Sequence, residues 1–378
     1  MITTDVLIVG AGSSGLFLAN LLIKSGVNVI ILERNSEPMM QTRAIGIHPP
    51  GLRSLDELNL LANFEQDGLK ITTGKAFVSK KEIATLKLGS TKPTDCILTI
   101  PQHKTEAILR ENIPKSIIYW GHEVNDAIQN GDKIVVTAKK LSGPTVKFES
   151  TFVIGCDGIK SKIRSLIQAD WVGNSYDYHY TMADFPDITD FNDIAAIYLN
   201  PNGLTESLPL PGGYRRWVVN HLDGEIPVQK LIDKIYNRSG FKLNESDCTM
   251  LSNFRIHEYA TSKIFEGNII LLGDSSHIFS PIGGQAMSLH WVHALKLGKL
   301  ISQMVHDKIS DSSFRSALEA YSIEVKSNAI KFTARAAFNT KMGLPGKNKY
   351  VLKLLVTLWA KTPLKNILAK RFAMRDLN

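Results

Sequence analysis

The sequence predicts an α/β fold whose main domain is assembled from stretches that lie far apart in the chain. Residues 5–9 and 27–32 are short apolar, β-rich runs on either side of a segment with the spacing of a helix. Two later apolar runs, 146–154 and 268–272, each lead directly into a glycine-containing turn. Strands that are buried on both faces have this composition. We therefore expect one discontinuous domain to be built from all four runs.

The rest of the chain separates into a strand-rich middle and a helical end. Residues 71–100 and 175–260 have the composition of strands, and the second stretch is broken by turns rich in proline and glycine. Residues 101–112 and 283–340 have the composition of helices. We expect the strand-rich stretches to form a second domain beside the first.

A glycine-rich turn, Gly10-Ala11-Gly12-Ser13-Ser14-Gly15, follows the first apolar run. Glycines at this spacing turn the chain sharply, let the backbone approach a pyrophosphate, and let the next helix pack on the strand. That helix begins near Ser13 and presents unpaired N–H groups and a positive dipole end to phosphates. Glu33 ends the second run, where an acid accepts hydrogen bonds from a ribose. This arrangement predicts a site for FAD or NAD, and not for NADP.

Two further glycine-centred segments occur later in the chain. The second is Gly155-Cys156-Asp157-Gly158, and the third is Gly273-Asp274-Ser275-Ser276-His277, which continues to Pro281-Ile282-Gly283-Gly284-Gln285. Taken alone, Asp157 fits equally well a turn aspartate that bonds its own backbone. Asp274 follows a buried run, where ligands of α/β sheets usually bind.

Together the three segments resemble the FAD-dependent aromatic hydroxylases, the single-component (class A) flavoprotein monooxygenases of the p-hydroxybenzoate hydroxylase type. The resemblance covers roughly residues 1–305. It implies a discontinuous Rossmann-like FAD-binding domain, a β-sheet substrate domain and C-terminal helices. The expected boundaries are 1–70, 101–165 and 261–340 for the first, 71–100 and 166–260 for the second, and 341–378 for a basic helical region.

The resemblance also implies roles for single residues. Asp157 matches an aspartate near the FAD pyrophosphate on the path of the reduced nicotinamide, and Asp274 matches one that bonds the ribityl chain. Pro281 matches a proline close to the reactive carbon of the flavin, and the helix start at 284–287 matches one that faces the pyrimidine edge of the ring. Reduced flavin is negatively charged at that edge, and a helix N-terminus stabilises an anion.

Two smaller matches complete the expected flavin site. Arg43 resembles a loop arginine that contacts FAD, with a solvated surface charge as the alternative. Gln102 resembles a helix glutamine that contacts FAD, with an ordinary polar residue at a helix N-terminus as the alternative. The residues expected to bind the cofactor are Gly10, Gly12, Ser14, Gly15, Glu33, Arg34, Arg43, Gln102, Asp157, Asp274, Pro281, Gly284, Gln285, Ala286 and Met287.

The sequence departs from the family pattern directly after Gln285. Ala286 stands at a position that is usually glycine, and Ser288 at one that is usually asparagine. His290 and His293 replace a glycine and an aspartate, and they share one face of the expected helix. A metal pair is conceivable at that spacing, but no further ligand set is apparent in the sequence, so ordinary helix packing is favoured and we expect no metal site.

The resemblance implies that NADH or NADPH reduces non-covalently bound FAD. It also implies that O2 then adds to the reduced flavin to give a flavin hydroperoxide. The expected reaction is hydroxylation or epoxidation of an aromatic, polyketide-like or olefinic small molecule. Three alternatives stay open: a prenyl or olefin reductase, a halogenase, and a non-catalytic flavin-binding scaffold. The halogenase motif Gly-Trp-x-Trp-x-Ile-Pro does not occur in the sequence. No residue matches a catalytic acid or base of the family.

Composition and charge indicate the cellular compartment and the classes of partner to expect. The three cysteines are far apart, which argues against a disulfide framework and favours a reducing cytoplasm. A signal peptide is not expected, because the chain enters a strand almost at once, and no apolar run is long enough to span a bilayer. The net charge is +8, and residues 347–378 hold eight Lys or Arg against one Asp. Such local charge argues against a nucleic-acid partner.

The basic C-terminal region has two interpretations. The first is a pair of amphipathic helices, separated by Pro363, that pack apolar side chains on the body of the protein. The second is peripheral contact with an anionic membrane surface. The first is favoured because apolar residues recur at helical spacing, namely Leu352, Leu355, Trp359, Leu364, Leu368 and Phe372.

Overall fold

The computed structural model describes residues 1–40, 44–343, 362 and 364–377. No helix within these ranges is long and apolar enough to cross a membrane. The described helices are α1 (Ser13–Lys24), α2 (Pro49–Glu57), α3 (Leu61–Asp67), α4 (Gln102–Glu111), α5 (Lys162–Leu166), α6 (Val228–Ser239), α7 (Ala286–Val305), α8 (Asp311–Met342) and α9 (Leu364–Phe372).

The first sheet contains the strands that the apolar runs predicted. Strands are numbered in chain order, and those of this sheet are β1 (Ile2–Val9), β2 (Val29–Glu33), β8 (Ile118–Trp120), β9 (His122–Asn130), β10 (Lys133–Lys140), β11 (Thr145–Gly155), β17 (Phe265–Glu266) and β18 (Ile269–Leu271). The order β18-β11-β1-β2-β8 is parallel throughout, with Val6 paired to Phe152 on one side and to Val29 on the other.

Both faces of this sheet are buried, as the uninterrupted apolar runs require. Ile8 packs in one apolar cluster with residues of α1 and α7, whereas its neighbour Leu7 packs in a second cluster with β10 and α5. The strands come from three separate stretches of chain, 2–33, 118–155 and 265–271. The predicted discontinuous α/β fold is therefore confirmed.

A second sheet is built from the strand-rich middle of the chain. Its strands are β5 (Thr73–Val78), β6 (Lys81–Lys87), β12 (Trp171–Pro186), β13 (Ala195–Asn200), β14 (Gly203–Leu210), β15 (Tyr214–His221), β16 (Met250–Thr261) and β19 (His277–Ile278). They lie in the order β19-β16-β12-β15-β14-β13-β5-β6. One face carries Trp217 and Val219 and packs on α6, so the opposite face is left to form the wall of a cleft.

Helix α6 corrects the expectation that residues 175–260 are strands and turns alone. Leu231, Ile232 and Ile235 recur at helical spacing and are buried against the sheet. Gly240 ends the helix in the left-handed region, with φ of 94°. The periodic pattern was present in the sequence, but it is short and lies between strong strand signals.

A small third sheet and the C-terminal helix close one side of the molecule. The sheet contains β3 (Gly46–Ile47), β7 (Ile97–Thr99) and β4 (Leu69–Ile71), in that order. Helix α9 packs against β6, with Ala369 and Ala373 in an apolar cluster and Phe372 partly buried beside it.

Near the end of the basic C-terminal region, the structure describes residues 364–377. Leu368 and Phe372 are half-buried there, in agreement with the packing interpretation. Arg375 forms an ion pair with Asp95, with Nε and Oδ1 2.8 Å apart. The predicted packing of Leu352, Leu355 and Trp359 and the break at Pro363 lie outside the described residues, as does the side chain of Leu364.

Candidate functional site

A cleft of about 620 Å³ lies between the carboxyl ends of β1 and β2 and the free face of the second sheet. The structure brings residues of the first and third glycine-centred segments, which are more than 250 positions apart in sequence, into the wall of this one cleft. The predicted residues that line it are Gly12, Ser14, Glu33, Gln102, Asp274, Pro281, Gly284, Ala286 and Met287.

The three glycines of the first turn have different local reasons to lack a side chain. A Cβ atom on Gly10, where φ is +107°, would lie 2.4 Å from the carbonyl oxygen of Cys156, and one on Gly15 would lie 2.1 Å from the carbonyl oxygen of Gly10. These two positions are therefore required by packing. A Cβ atom on Gly12 would have no atom within 4 Å, because the residue faces the cleft.

The open space at Gly12 is suited to a phosphate group. Gly12 is the N-cap of α1, and no side chain caps that end of the helix. The first-turn N–H groups and the positive end of the helix dipole favour an anion there. The loop therefore offers both the space and the hydrogen-bond donors that a pyrophosphate needs.

Glu33 is buried beside this loop. Its Oε2 accepts a hydrogen bond from the N–H of Ala11 at 2.8 Å, and its Oε1 accepts one from the N–H of Asn35 at 2.9 Å. Each carboxylate oxygen keeps a second lone pair, which can accept a hydrogen bond from a ribose hydroxyl. Arg34, the next residue, is exposed and lines a neighbouring cavity instead of this cleft.

Gln102 connects two parts of the cleft wall. Its Oε1 accepts a hydrogen bond from the N–H of Ala44 at 3.1 Å, and its Nε2 donates to Oε1 of Glu106 at 3.0 Å. Burial raises the pKa of Glu106, which also lines the cleft. Gln102 thereby fixes the loop that precedes β3 to helix α4. Arg43, expected in that loop, lies outside the described residues.

Asp157 is engaged at the start of α5. Its carboxylate accepts hydrogen bonds from the Ser161 hydroxyl at 2.6 Å and from the N–H groups of Lys162 at 2.6 Å and Ile163 at 3.1 Å. This geometry resembles the alternative of a turn aspartate that bonds its own backbone. The neighbouring residues Cys156 and Gly158 line the cleft, whereas the Asp157 side chain does not. Its contact with FAD stays a prediction.

The second and third segments are joined by Arg164. Its guanidinium donates to the carbonyl of Ile159 at 2.8 Å and to that of Ser275 at 3.1 Å, and it lies 3.8 Å above the ring of Trp171. These contacts hold the turn after β11 against the turn after β18. The two turns therefore form one continuous side of the cleft.

Asp274 is the accessible acid of the third segment. Its side chain is 55% exposed, but the exposed part lies within the cleft and is surrounded by protein, which raises its pKa to about 6. No described residue donates a hydrogen bond to this carboxylate. Oδ1 of Asp274 lies 3.6 Å from Nδ1 of His290, a separation beyond hydrogen-bond range. A ligand hydroxyl can therefore bind to the carboxylate directly.

The proline loop brings the start of α7 to the cleft. Gly283 and Gly284 adopt φ of +91° and +64°, and the N–H of Gly284 donates to the carbonyl of Pro281 at 2.8 Å. This tight turn aims the first residues of α7, Ala286 and Met287, at the space beside the loop. The helix N-terminus has no side-chain cap, so its dipole and N–H groups are available to a ligand.

Gln285 points away from the cleft. Its side chain is buried, and its Nε2 donates to the carbonyls of Arg371 at 3.2 Å and Phe372 at 2.8 Å. The residue therefore ties the proline loop to α9. The side chain of Gln285, which was expected to contact the cofactor, thus lies between two elements of the protein, and a contact with FAD stays a prediction.

Three buried histidines lie behind Asp274. The ring of His277 is 5.0 Å from that of His290 and 5.6 Å from that of His293, measured between centroids. Burial lowers the pKa of all three, and that of His290 falls to about 4, so the cluster is neutral near pH 7. Within the described residues no group of three or more His, Cys, Asp or Glu side chains is arranged to hold a metal ion.

Among the residues that line the cleft without having been assigned to it from the sequence are His48, Glu206, Arg216 and Phe372. Nε2 of His48 lies 2.8 Å from the carbonyl oxygen of Gly283. A signal for Glu206 existed, because it stands between Leu204 and Leu208 at alternate positions of a strand. A charged residue in an inward-facing series is unusual and marks a functional position.

Comparison with known proteins identifies the family of the chain. The family model described as "FAD binding domain" matches residues 3–336. An uncharacterized aromatic compound monooxygenase, YhjG, of Bacillus subtilis (strain 168) is 25% identical over 307 residues, which are 79% of this chain and 61% of the relative. The rifampicin monooxygenase of Rhodococcus hoagii is 28% identical over 78% of this chain and 63% of its own length. The chain thus spans about three fifths of these relatives.

The fold is shared with solved structures of the same kind. The crystal structure of p-nitrophenol 4-monooxygenase PnpA from Pseudomonas putida DLL-E4 superimposes with a TM-score of 0.85, at 20% identity, over 100% of this chain and 98% of the other. At that identity the likeness concerns the fold. Together with the family match, it confirms the resemblance to FAD-dependent aromatic hydroxylases that the three segments indicated. The chain belongs to the FAD binding domain family.

Proposed function

We propose that the protein is an FAD-dependent monooxygenase that uses NADH or NADPH and O2 to hydroxylate or epoxidise an aromatic, polyketide-like or olefinic small molecule. The observation that carries the proposal is the convergence of the glycine loop, Asp274 and the proline loop on a cleft whose other wall is a largely apolar sheet face. The names of the matched relatives, which refer to aromatic compounds and to rifampicin, support the same class of substrate.

Bound FAD supplies the redox chemistry, because it takes a hydride from NAD(P)H and activates O2 for transfer of one oxygen atom. In the balanced reaction, substrate, NAD(P)H, a proton and O2 give oxygenated product, NAD(P)⁺ and water. The protein itself has to bind the nucleotide, orient the substrate and exclude bulk water.

Different residues of the cleft are suited to different parts of FAD. The N–H groups at the start of α1, next to Gly12, suit the pyrophosphate, and the Glu33 carboxylate suits the ribose. The Asp274 carboxylate is open to the ribityl hydroxyls. The uncapped start of α7 at Ala286 suits the part of the ring that becomes negative on reduction.

The substrate is proposed to lie on the free face of the second sheet. Met182, Leu208, Val218 and Phe254 present apolar surface to the cleft there. A cavity of this composition excludes water and binds flat apolar molecules. A pocket of the same kind can also bind an olefin, so the proposed substrates include both aromatic and olefinic molecules.

Consumption of NADH, NADPH and O2 tests the proposal when it is measured with and without a panel of phenols, naphthols and polyketide-like compounds. We expect a substrate-dependent increase in reductant use, with one atom from ¹⁸O2 in the product. A product that gains two hydrogens and no oxygen would replace this proposal by a reductase function. FAD binding with no turnover of any panel member would favour a non-catalytic scaffold.

A further inference from the structure

A single acid lies within the apolar wall of the cleft. Strand β14 alternates in the usual way, so that Thr205 and Ser207 face one side of the sheet and Leu204, Glu206 and Leu208 face the other. Glu206 is paired with Val218 on β15, which is itself paired with Met182 on β12. All three side chains line the cleft, and Glu206 is only 7% exposed.

The carboxylate of Glu206 has no partner in the described part of the chain, either by hydrogen bond or by ion pair. The other acid on this part of the sheet face, Asp184, is satisfied, since Arg216 donates to its two oxygens at 2.7 and 2.8 Å. Arg216 itself also lines the cleft. The pairing of these two charges leaves Glu206 as the acid with free acceptor capacity.

Burial without a partner is costly for a carboxylate. It raises the pKa of Glu206 to about 7. The ionisable or charged groups that face it from the neighbouring strands are Tyr180 and Asp184 on β12 and Arg216 on β15. None of them donates a hydrogen bond to Glu206, so this cost is not offset within the free protein.

A ligand in the cleft can supply the missing donor. We infer that Glu206 is a specificity-determining residue, which accepts a hydrogen bond from a free hydroxyl group of the aromatic substrate. The inference rests on the proposed function, because it assigns a role within the substrate part of the same cleft. Glu206 would select a substrate with a free hydroxyl over the corresponding methyl ether, since the ether would leave the buried carboxylate without a partner.

A neutral hydroxyl fits the position better than an ammonium group. The residues paired with Glu206 on the two adjacent strands, Ile197 and Val218, are apolar, so an ammonium would lose its water without further acceptors. The hydroxyl needs only one acceptor to be satisfied. The expected ligand is therefore a phenol or naphthol, and not an aromatic amine cation.

The test compares 2-naphthol with 2-methoxynaphthalene, in which a methyl group replaces the hydroxyl hydrogen. Dissociation constants are measured by calorimetry at pH 8 on protein whose FAD content has first been determined. For the wild-type protein we expect 2-naphthol to bind at least about ten-fold more tightly than the ether. In Glu206→Leu this preference should disappear, and in Glu206→Gln, which retains a weaker neutral acceptor, it should be intermediate.

Thr205→Val is the matched control. Thr205 is buried on the opposite face of the same strand, and its hydroxyl has no hydrogen-bond partner among the described atoms. The substitution conserves shape, so the preference for naphthol should remain as in the wild type. A loss of preference in this variant would show that any change in β14 disturbs the pocket, and it would overturn the assignment.

Two further outcomes would contradict the inference. One is an unchanged preference in both Glu206 variants that still hold FAD, and the other is tighter binding of (2-naphthyl)methylammonium than of 2-naphthol. Because FAD content is measured separately, these outcomes leave the proposed function intact. A protein that cannot hold FAD at all would instead contradict the proposed function.

Discussion

Nδ1 of His290 lies 3.6 Å from Oδ1 of Asp274, at the base of the cleft. Burial lowers the pKa of this histidine to about 4, so near pH 7 the imidazole is neutral. The neighbouring carboxylate is therefore not neutralised by a cation, and it keeps its capacity to accept hydrogen bonds. His290, at a position where the family usually has glycine, therefore leaves the Asp274 carboxylate open to the cleft.

Asp274→Ala should weaken FAD binding. The substitution removes the charge-assisted hydrogen bonds that this carboxylate is proposed to accept from the ribityl chain, and such bonds contribute about 1.5–3 kcal/mol, or roughly a 10- to 150-fold change in dissociation constant. Titration of the FAD-free protein, followed by quenching of flavin fluorescence, measures the change. His306→Gln is a suitable control, because His306 lies at the far end of α7 and bonds the carbonyl of Ser25. Equal FAD affinities for Asp274→Ala and the wild type would remove Asp274 from the site.

Glu206→Gln should stabilise the ligand-free protein at alkaline pH. The pKa of Glu206 is raised from 4.5 to about 7, which means that the folded state binds this proton more tightly than the unfolded state. The stability of the wild type is therefore lost progressively as the pH rises from about 4.5 to about 7. Each pH unit corresponds to about 1.4 kcal/mol, so the upper limit is about 3 kcal/mol.

Urea unfolding at pH 5 and pH 8 measures this effect. We expect the advantage of Glu206→Gln over the wild type to be larger at pH 8 than at pH 5. The difference between Thr205→Val and the wild type should not depend on pH, because threonine does not titrate. An advantage that is equal at both values would show that Glu206 is not held in an environment that favours its neutral form.

Gln285→Leu should loosen the C-terminal helix. The change removes both hydrogen bonds to the carbonyls of Arg371 and Phe372, and it leaves those carbonyls without this donor. We expect a loss of about 1–3 kcal/mol in stability, with faster amide hydrogen exchange in residues 364–377. Hydrogen exchange measured by mass spectrometry resolves this segment. Protection equal to that of the wild type would mean that Gln285 does not hold α9.

Reversal of exposed charges on the same helix separates packing from membrane attraction. Lys365 and Lys370 are exposed and lie on α9. Lys365→Glu with Lys370→Glu should leave the melting temperature nearly unchanged, because exposed charges contribute little. If the basic region also contacts anionic membranes, binding to phosphatidylserine liposomes should fall, and it should weaken with salt. A large drop in melting temperature would instead assign these lysines to the packing of the helix.

A site residue can be predicted from the sequence when the segment around it determines its position, and not when distant parts of the chain do. Gly12 and Asp274 follow buried strands and Glu33 ends one, and the strand-end rule alone places such residues at one edge of the sheet. The side-chain partners of Gln285 could not be predicted, because they lie in α9, 86 and 87 positions further along the chain. Helix α6 was missed because a single amphipathic helix lies within a region of strands.

Glu206 illustrates a different limit of sequence reasoning. Its alternation with Leu204 and Leu208 shows that it faces the same side as apolar residues, but not which face of the sheet meets the cleft. The face that meets the cleft is the one that α6 leaves uncovered, because Ile232 and Ile235 of α6 pack on the opposite face. The role of Glu206 therefore follows from tertiary packing and not from its own strand.

FAD binding by Gly12→Val tests the central claim most directly. Gly12 has an extended backbone with φ of −78° and ψ of 180°, and a Cβ atom there meets no protein atom within 4 Å. The variant should therefore fold with the melting temperature of the FAD-free wild type, while its side chain occupies the space assigned to the pyrophosphate. Wild-type protein should release FAD on acid precipitation, and the variant should neither carry nor regain it. A folded variant that binds FAD as tightly as the wild type would contradict this account of the site.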